Sequence, residues 1–306
     1  MKSYVRYSLL IFFQINMAFA EIVHLHDPNH TYIVIDSENQ SKLPKNFRII
    51  SSSILKNINA SASGQFSEAE LQKIIKKIPK EKNIIIIDLR EETHGFINGI
   101  AISWYGVYNH ANLNITLDKI NEDEIKRIDS LRAQKNIELF NIIDKKDGII
   151  NSLEGIKVRV NDTYTEEELT KKYNLRYIRF PVTDHLKPND YIVDQLMNLV
   201  KRITINDWLH IHCRAGKGRT TTFLVMLDIM KNAKKTSLEH IIDRHYKLGG
   251  IDLAKSNTAA WKKTYADERL IFIKNFYEYC KNNNDNFTSS WSNWIKRKNL
   301  NNSSIK

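Results

Sequence analysis

Cys213 and Arg219 stand six positions apart in the run His212-Cys213-Arg214-Ala215-Gly216-Lys217-Gly218-Arg219-Thr220, with two glycines between them. The preceding run, Trp208-Leu209-His210-Ile211, reads as a short buried strand, and Thr221 to Leu227 reads as the start of a buried helix. A loop between a strand and a helix N-terminus aims backbone N–H groups and the positive end of the helix dipole at one point. That point suits an anion, and the same field lowers the pKa of a cysteine thiol. The loop residues Ala215, Gly216, Lys217 and Gly218 ring it with amides, and Arg219 can give a phosphate two parallel charge-assisted hydrogen bonds. The spacing therefore predicts a nucleophile inside an anion cradle.

Rival readings of the loop are poorer. A Walker A loop requires Gly at 211 and Ser or Thr at 218, where this chain has Ile211 and Gly218. A zinc site needs more ligands than Cys213 and Cys280, the two cysteines of the chain, supply. An inert buried cysteine beside a glycine turn leaves the coincidence of Cys, Gly, Arg and a hydroxyl unexplained.

A thiolate so placed can attack a phosphate monoester in line, giving a phosphocysteine that water then cleaves. His212 is expected to fix the loop and favour the thiolate. Thr220 can donate its hydroxyl to the sulfur, and Lys217 adds positive charge at the rim. Departure of an alkoxide needs an acid, worth roughly 10²–10⁴-fold. Asp184 is the candidate, after a strand and between Pro181 and Pro188.

The elements that must hold these groups alternate between strand and helix. Ser67 and Glu70 form a capping box ahead of Leu71, Ile74, Ile75 and Ile78, and Pro79 ends that helix. Ile84 to Ile87 is a continuous β-branched run, the pattern of a strand covered on both faces. The stretch Asp88 to Gly95 reads as a polar loop at the strand's carboxyl end, where open α/β sheets bind ligands. Thr165 with Glu168 begins a second capped helix, and Tyr177 to Phe180 a second strand. Helices follow around Ile192 to Val200, Ser237 to Tyr246 and Ala259 to Lys281. Pro44-Lys45-Asn46-Phe47-Arg48 enters a Ser-rich stretch that reaches Gly64-Gln65-Phe66 and is assigned no element. Residues 119–163, with a charged helix and two strands around Lys145-Lys146-Asp147-Gly148, read as a small β-containing insertion or, equally, an elaborated surface hairpin.

Composition bounds the partner. The 306 residues carry a formal net charge of +11. Such a surface concentrates polyanions, a property that fits nucleic acid, an anionic membrane or a multiply phosphorylated small molecule alike. Residues 1–20 carry Lys2, Arg6, an apolar run from Leu9 to Ala20 and Ala18-Phe19-Ala20. These are the parts of a secretory leader, too short and too interrupted to span a bilayer comfortably, the alternative being an uncleaved N-terminal anchor. The mature chain is then 21–306, periplasmic or secreted, and its cysteines are expected to stay unpaired. The pair His24 and His26 lacks further metal ligands nearby.

The chain resembles the protein-tyrosine-phosphatase-like phytases, cysteine phosphatases of inositol hexakisphosphate. The resemblance runs through Ser63-Gly64-Gln65-Phe66-Ser67, Asp88 to Phe96, Ser103-Trp104-Tyr105-Gly106, Thr183-Asp184-His185, His212 to Thr222, Leu248-Gly249-Gly250 and Trp261-Lys262-Lys263. It implies an α/β phosphatase core with a small β-rich inserted domain. It also implies Cys213 as nucleophile, Arg219 as clamp, Asp184 as acid and no metal. Arg48, Lys262 and Lys263, with His185 beside the acid, become candidates for holding the substrate's other phosphates. Arg214 and Lys217 make the loop more basic than the resemblance suggests, and closer to loops of phosphoinositide phosphatases. The expected substrate is an inositol polyphosphate, with no nucleic acid and no stable membrane span in the mature chain. A phosphoinositide, a phosphotyrosine or a non-catalytic phosphate-binding role are the alternatives.

Overall fold

The computed structural model describes residues 22–24, 30–255 and 259–303; the expected leader and His26 lie outside them. In chain order its elements are β1 (Ile22–His24), β2 (Tyr32–Ser37), β3 (Arg48–Ile50), β4 (Asn59–Ser63), α1 (Glu68–Lys77), β5 (Asn83–Arg90), β6 (His94–Ile97) and β7 (Ile100–Tyr105). There follow α2 (Leu117–Arg132), β8 (Asn136–Lys146), β9 (Ile149–Arg159), β10 (Thr163–Tyr164), α3 (Glu166–Lys172) and β11 (Arg176–Val182). The chain continues through α4 (Asp190–Arg202), β12 (Asp207–His212), α5 (Gly218–Asn232), α6 (Leu238–Lys247), α7 (Ala260–Lys281) and α8 (Trp291–Ser303).

Two sheets result. The first has the order β11-β5-β12-β4-β3 and is parallel except for β3. Side chains alternate across a strand, so β5 sends Ile85, Ile87 and Leu89 to the core shared with α4 and α5, and Ile86 to the core shared with α1. This is why its sequence is apolar without a break. Both expected capping boxes form, at Ser67 with Glu70 and at Thr165 with Glu168. Helix α5 is buried nearly all round, from Arg219 to Ile229, and carries the phosphate loop on its N-terminus.

The second sheet has the order β1-β9-β8-β2-β7-β6-β10. The segment 119–163 supplies α2 and the β8–β9 hairpin, but the sheet around them also draws on β1, β2, β6 and β7. Two other readings change. The Ser-rich stretch holds β3 and β4, and β4 lies between β3 and β12 in the sheet. Its Ala60, Ser61, Ala62 and Ser63 are all fully buried. A strand of small residues lacks the β-branched signature, and Ser61 is satisfied across the sheet, its Oγ 2.9 Å from His210 Nδ1 and accepting from Trp208 Nε1 at 2.9 Å. The expected polar loop at 88–95 is mostly strand, and Asp88, Arg90, Glu92 and His94 are buried.

The tail docks through Trp291, which packs edge-on against Phe272, Phe276 and Tyr279 and donates from its indole to Asp190 at 2.8 Å. Trp291→Ala should cost about 3–5 kcal/mol of unfolding free energy, read from the shift of a urea transition. A loss typical of a surface site would show that α8 contributes nothing to the core.

Candidate active site

The phosphate loop is built from behind. Gln65 N–H donates to Arg214 O at 3.0 Å, Asn46 Nδ2 to Ala215 O at 2.8 Å and Arg48 Nη1 to Gly216 O at 2.9 Å. Three successive carbonyls are thus tied to the 46–65 segment, while the first N–H groups of α5 have no intrahelical acceptor. Gly216 sits at φ +69°, where a Cβ would lie 2.3 Å from the Gly64 nitrogen; only glycine fits. Cys213 is buried, and Thr220 Oγ1 donates to its sulfur at 3.2 Å. Cys280 is a separate free thiol whose pKa burial pushes far up, so it is inert.

Arg219 is held by a carboxylate that the sequence reading passed over. Its Nη1 and Nη2 donate to Glu92 Oε2 and Oε1 at 2.7 and 2.9 Å, and Nη1 also donates to Val182 O at 2.9 Å. Glu92 accepts in turn from Arg90 Nε at 2.9 Å; Arg90 Nη1 pairs with Asp36 at 2.8 Å, and Asp36 with Arg214 Nε at 2.6 Å. Arg214 lies over the Tyr105 ring, 4.8 Å from its centroid. Acid and base alternate along this chain from the loop's extra arginine to its phosphate clamp. Glu92 stood beside Glu91 in the expected polar loop at the end of the strand; no local signal separates the two.

Asp184 reaches the same clamp, with Oδ1 3.1 Å from Arg219 Nη2. Burial and Glu92 push its pKa up, but Arg219, His185 and the Asn109 hydrogen bond together hold the carboxyl below its ordinary value. Its backbone carbonyl accepts from His110 Nε2 at 2.8 Å. His185, beside it, is at φ +70° and packs its ring edge-on against Trp261. Burial pushes the His185 imidazole down to about 4, with Lys262 and Arg219 adding to the push against the pull of Asp184. His185 is therefore neutral near pH 7.

The remaining candidates divide. Lys262 lies over Trp261, near His185. Lys217 Nζ donates to Gly249 O at 2.8 Å, tying the loop to the Leu248-Gly249-Gly250 turn. Arg48 is buried and spends Nη1 on the carbonyls of Asn46 and Gly216. It braces the loop, because β3 runs beside the strand that meets the loop. Its Nη2 is buried without a hydrogen-bond partner, and the guanidinium is close enough to Cys213 for their charges to interact. Lys263 faces solvent and pairs with Asp267 one turn on, at 2.7 Å, so it does not join the site. Two cations were missed. Lys145, on β8, donates to the Tyr105 hydroxyl at 2.9 Å, and burial together with Arg214 and Lys262 pushes it down to about 8. Arg269, on α7, donates to His185 O at 3.2 Å and stands 3.5 Å from where a Gly218 Cβ would be.

His212 turns away from the pocket. Its Nε2 is 2.7 Å from Glu166 Oε1, in a buried cluster with His94 and Asp88. Burial and Arg90 push the His94 imidazolium down, yet Asp88 and Glu124 outweigh them and hold it up at about 10. A raised histidine pKa stabilises the fold fully below its ordinary value of 6.5 and loses that contribution as pH rises toward about 10. The urea midpoint should therefore fall over that window, and His94→Gln should flatten the fall while lowering the midpoint at pH 6. An unchanged slope would mean that His94 is neutral in the native state.

Comparison with known proteins agrees with this geometry. The family model of the PTP-like phytases, described as "Inositol hexakisphosphate", matches residues 87–231. The structure of a PTP-like phytase from Bdellovibrio bacteriovorus superposes with a TM-score of 0.71 at 31% identity, covering 90% of this chain and 98% of that one. The PTP-like myo-inositol phosphatase of Mitsuokella multacida, solved in complex with myo-inositol-(1,3,4,5)-tetrakisphosphate, gives a TM-score of 0.81 at 32% identity over 90% of this chain and 49% of that one. Effector protein hopD2 of Pseudomonas syringae pv. tomato is 28% identical over 249 residues, 78% of this chain and 52% of its own. The chain thus spans about half the length of hopD2 and of the Mitsuokella protein. Sharing nearly the whole length of a solved member at this identity, with the family model running from β5 to α5, the chain belongs to the protein-tyrosine-phosphatase-like phytase family.

Proposed function

We propose that this protein is a cysteine-dependent phosphomonoesterase that removes phosphates from inositol polyphosphates, inositol hexakisphosphate among them. The observation that carries the reading is the convergence of Cys213, Arg219 and Asp184 on one loop, with Arg214, Lys145, Lys262 and Arg269 around it. A substrate with one ester at the sulfur and several further phosphates has cations to meet on three sides.

The Cys213 thiolate attacks phosphorus, the bond to the ester oxygen breaks, and Asp184 gives its proton to the departing alkoxide. Water then attacks the phosphocysteine, Asp184 takes the water's proton, and phosphate leaves as the thiolate is restored. Loop amides and Arg219 stabilise the charge on the equatorial oxygens. The Asp184–Arg219 pair supplies a trigger. In the free protein it keeps the acid ionised. A phosphate dianion entering the loop competes for Arg219, weakens that pair and raises the affinity of Asp184 for a proton.

Phosphate release from inositol hexakisphosphate, a phosphoinositide and a phosphotyrosine peptide tests the substrate. The first should be preferred, and preference for the peptide would overturn the choice. Cys213→Ser should abolish turnover while phosphate still binds. Asp184→Asn should slow alkyl phosphate turnover by roughly 10²–10⁴-fold; unaltered turnover would remove Asp184 from the mechanism.

We further propose that the protein is exported, on the charged start, apolar run and Ala18-Phe19-Ala20 of residues 1–20. Among the described residues no helix is long and apolar enough to cross a membrane. The mature N-terminus should begin after Ala20, and a retained Met1 would sink the idea.

A further inference from the structure

The turn after β7 approaches the acid loop from the second sheet. Tyr108 and Asn109 have φ of +56° and +63°, two successive non-glycine residues in the left-handed region. Such backbone is unfavourable, persists only where its surroundings over-determine it, and gathers at functional sites. Here the surroundings are identifiable. Tyr108 N–H donates to Gly148 O at 3.0 Å on the β8–β9 hairpin, and the Tyr108 ring packs 4.8 Å from Trp261 on α7. His110 Nε2 donates to the backbone carbonyl of Asp184 at 2.8 Å. The turn is clamped from three directions, and at its centre is Asn109, only 2% exposed.

Asn109 uses its amide for one contact. Nδ2 donates to Asp184 Oδ2 at 3.1 Å, while its Oδ1 is buried with no hydrogen-bond partner. Leaving a buried acceptor unpaired is costly, so the donor is what the position retains. The two oxygens of Asp184 are thereby distinguished. Oδ1 takes the His185 N–H at 3.0 Å and Arg219 at 3.1 Å; Oδ2 takes Asn109.

We propose that Asn109 is a positioning residue for the general acid, holding the Asp184 carboxyl at the mouth of the phosphate loop through substrate entry, when Arg219 is drawn to phosphate. This inference rests on the phosphatase reading, with Asp184 as the acid. Arg219 serves as an anchor only until the substrate competes for it; Asn109 is neutral, does not bind phosphate as an ion, and stays. The charged and titratable groups facing Asp184 from the packed elements are Arg219 on α5, Glu92 before β6, Arg269 on α7, Lys145 on β8, Tyr105 on β7, His110 at its carbonyl and its neutral neighbour His185. Against that field, a hydrogen bond to the ionised carboxylate lowers its pKa. Removing the bond raises the pKa, and the alkaline fall of kcat moves to higher pH.

Two variants test this with separable readouts. Asn109→Gly keeps the left-handed turn without strain and deletes the amide. Asn109→Asp keeps its shape but opposes a second carboxylate to Asp184. Initial rates are measured on inositol hexakisphosphate, whose alkoxide must be protonated, and on p-nitrophenyl phosphate, whose leaving group needs little help. Both variants should lose roughly tenfold to 10²-fold more kcat on the former, the scale of a misplaced catalytic group. Their alkaline limbs should move upward, further in the Asp variant than in the Gly variant. Asp184→Asn is run beside them. If it too treats the two esters alike, the acid assignment itself fails. If it discriminates while both Asn109 variants slow the two esters equally with unmoved limbs, Asn109 is structural and the inference is overturned.

Discussion

The Arg219–Glu92 pair is the interaction on which the site is hung. It is bidentate and fully buried, at 2.7 and 2.9 Å, and it continues through Arg90 and Asp36 to Arg214. Taking these charges out of water is expensive, and the cost is offset only while each keeps its neighbours. Deleting a single member of a buried pair typically costs about 3–5 kcal/mol because it strands the other charge. The participants come from β2, β5, the turn before β6, the phosphate loop and α5, so both sheets must be in register for the chain to close. The clamp is thereby pre-oriented: the guanidinium does not have to be ordered when a phosphate arrives.

The same chain accounts for Arg214, whose charge on the phosphate loop is otherwise surplus. It is neutralised in part by Asp36 and lies on Tyr105, the ring that also receives Lys145. Lys217 points the other way, to the Gly249 carbonyl. The two extra cations of the loop therefore have different work, one facing the second sheet and one tying down the turn after α6. Behind the loop, His212 and His94 are balanced by Glu166, Asp88 and Glu124. Burial alone would neutralise His94; the carboxylates keep it charged.

Much of the core was legible because it obeys local rules. The capping boxes at Ser67 and Thr165 name the first turns of α1 and α3, and the run Ile84 to Ile87 announces a strand with helices on both sides. The loop could be read because Cys, Gly and Arg act there through spacing along one segment. Strand β4 was not legible, since Asn-Ala-Ser-Ala-Ser is a strand only in the presence of β12 and β3, and its Ser61 finds its partners, His210 and Trp208, across the sheet.

What the sequence by itself determined is the reactive segment: a thiol, an arginine and a helix start joined within nine residues, whose geometry follows from backbone preference and glycine placement. What only the tertiary structure decided is which distant charges face that segment. Glu92 beside Glu91, Lys145 beside Lys146 and Lys262 beside Lys263 are chemically equivalent on paper. Glu92 is the carboxylate clasped by Arg219, Lys145 meets Tyr105, and Lys263 is held off by Asp267. The reason is geometric. Successive residues on a strand or a helix point in different directions, and which direction holds the site is set by the packing of one sheet against another.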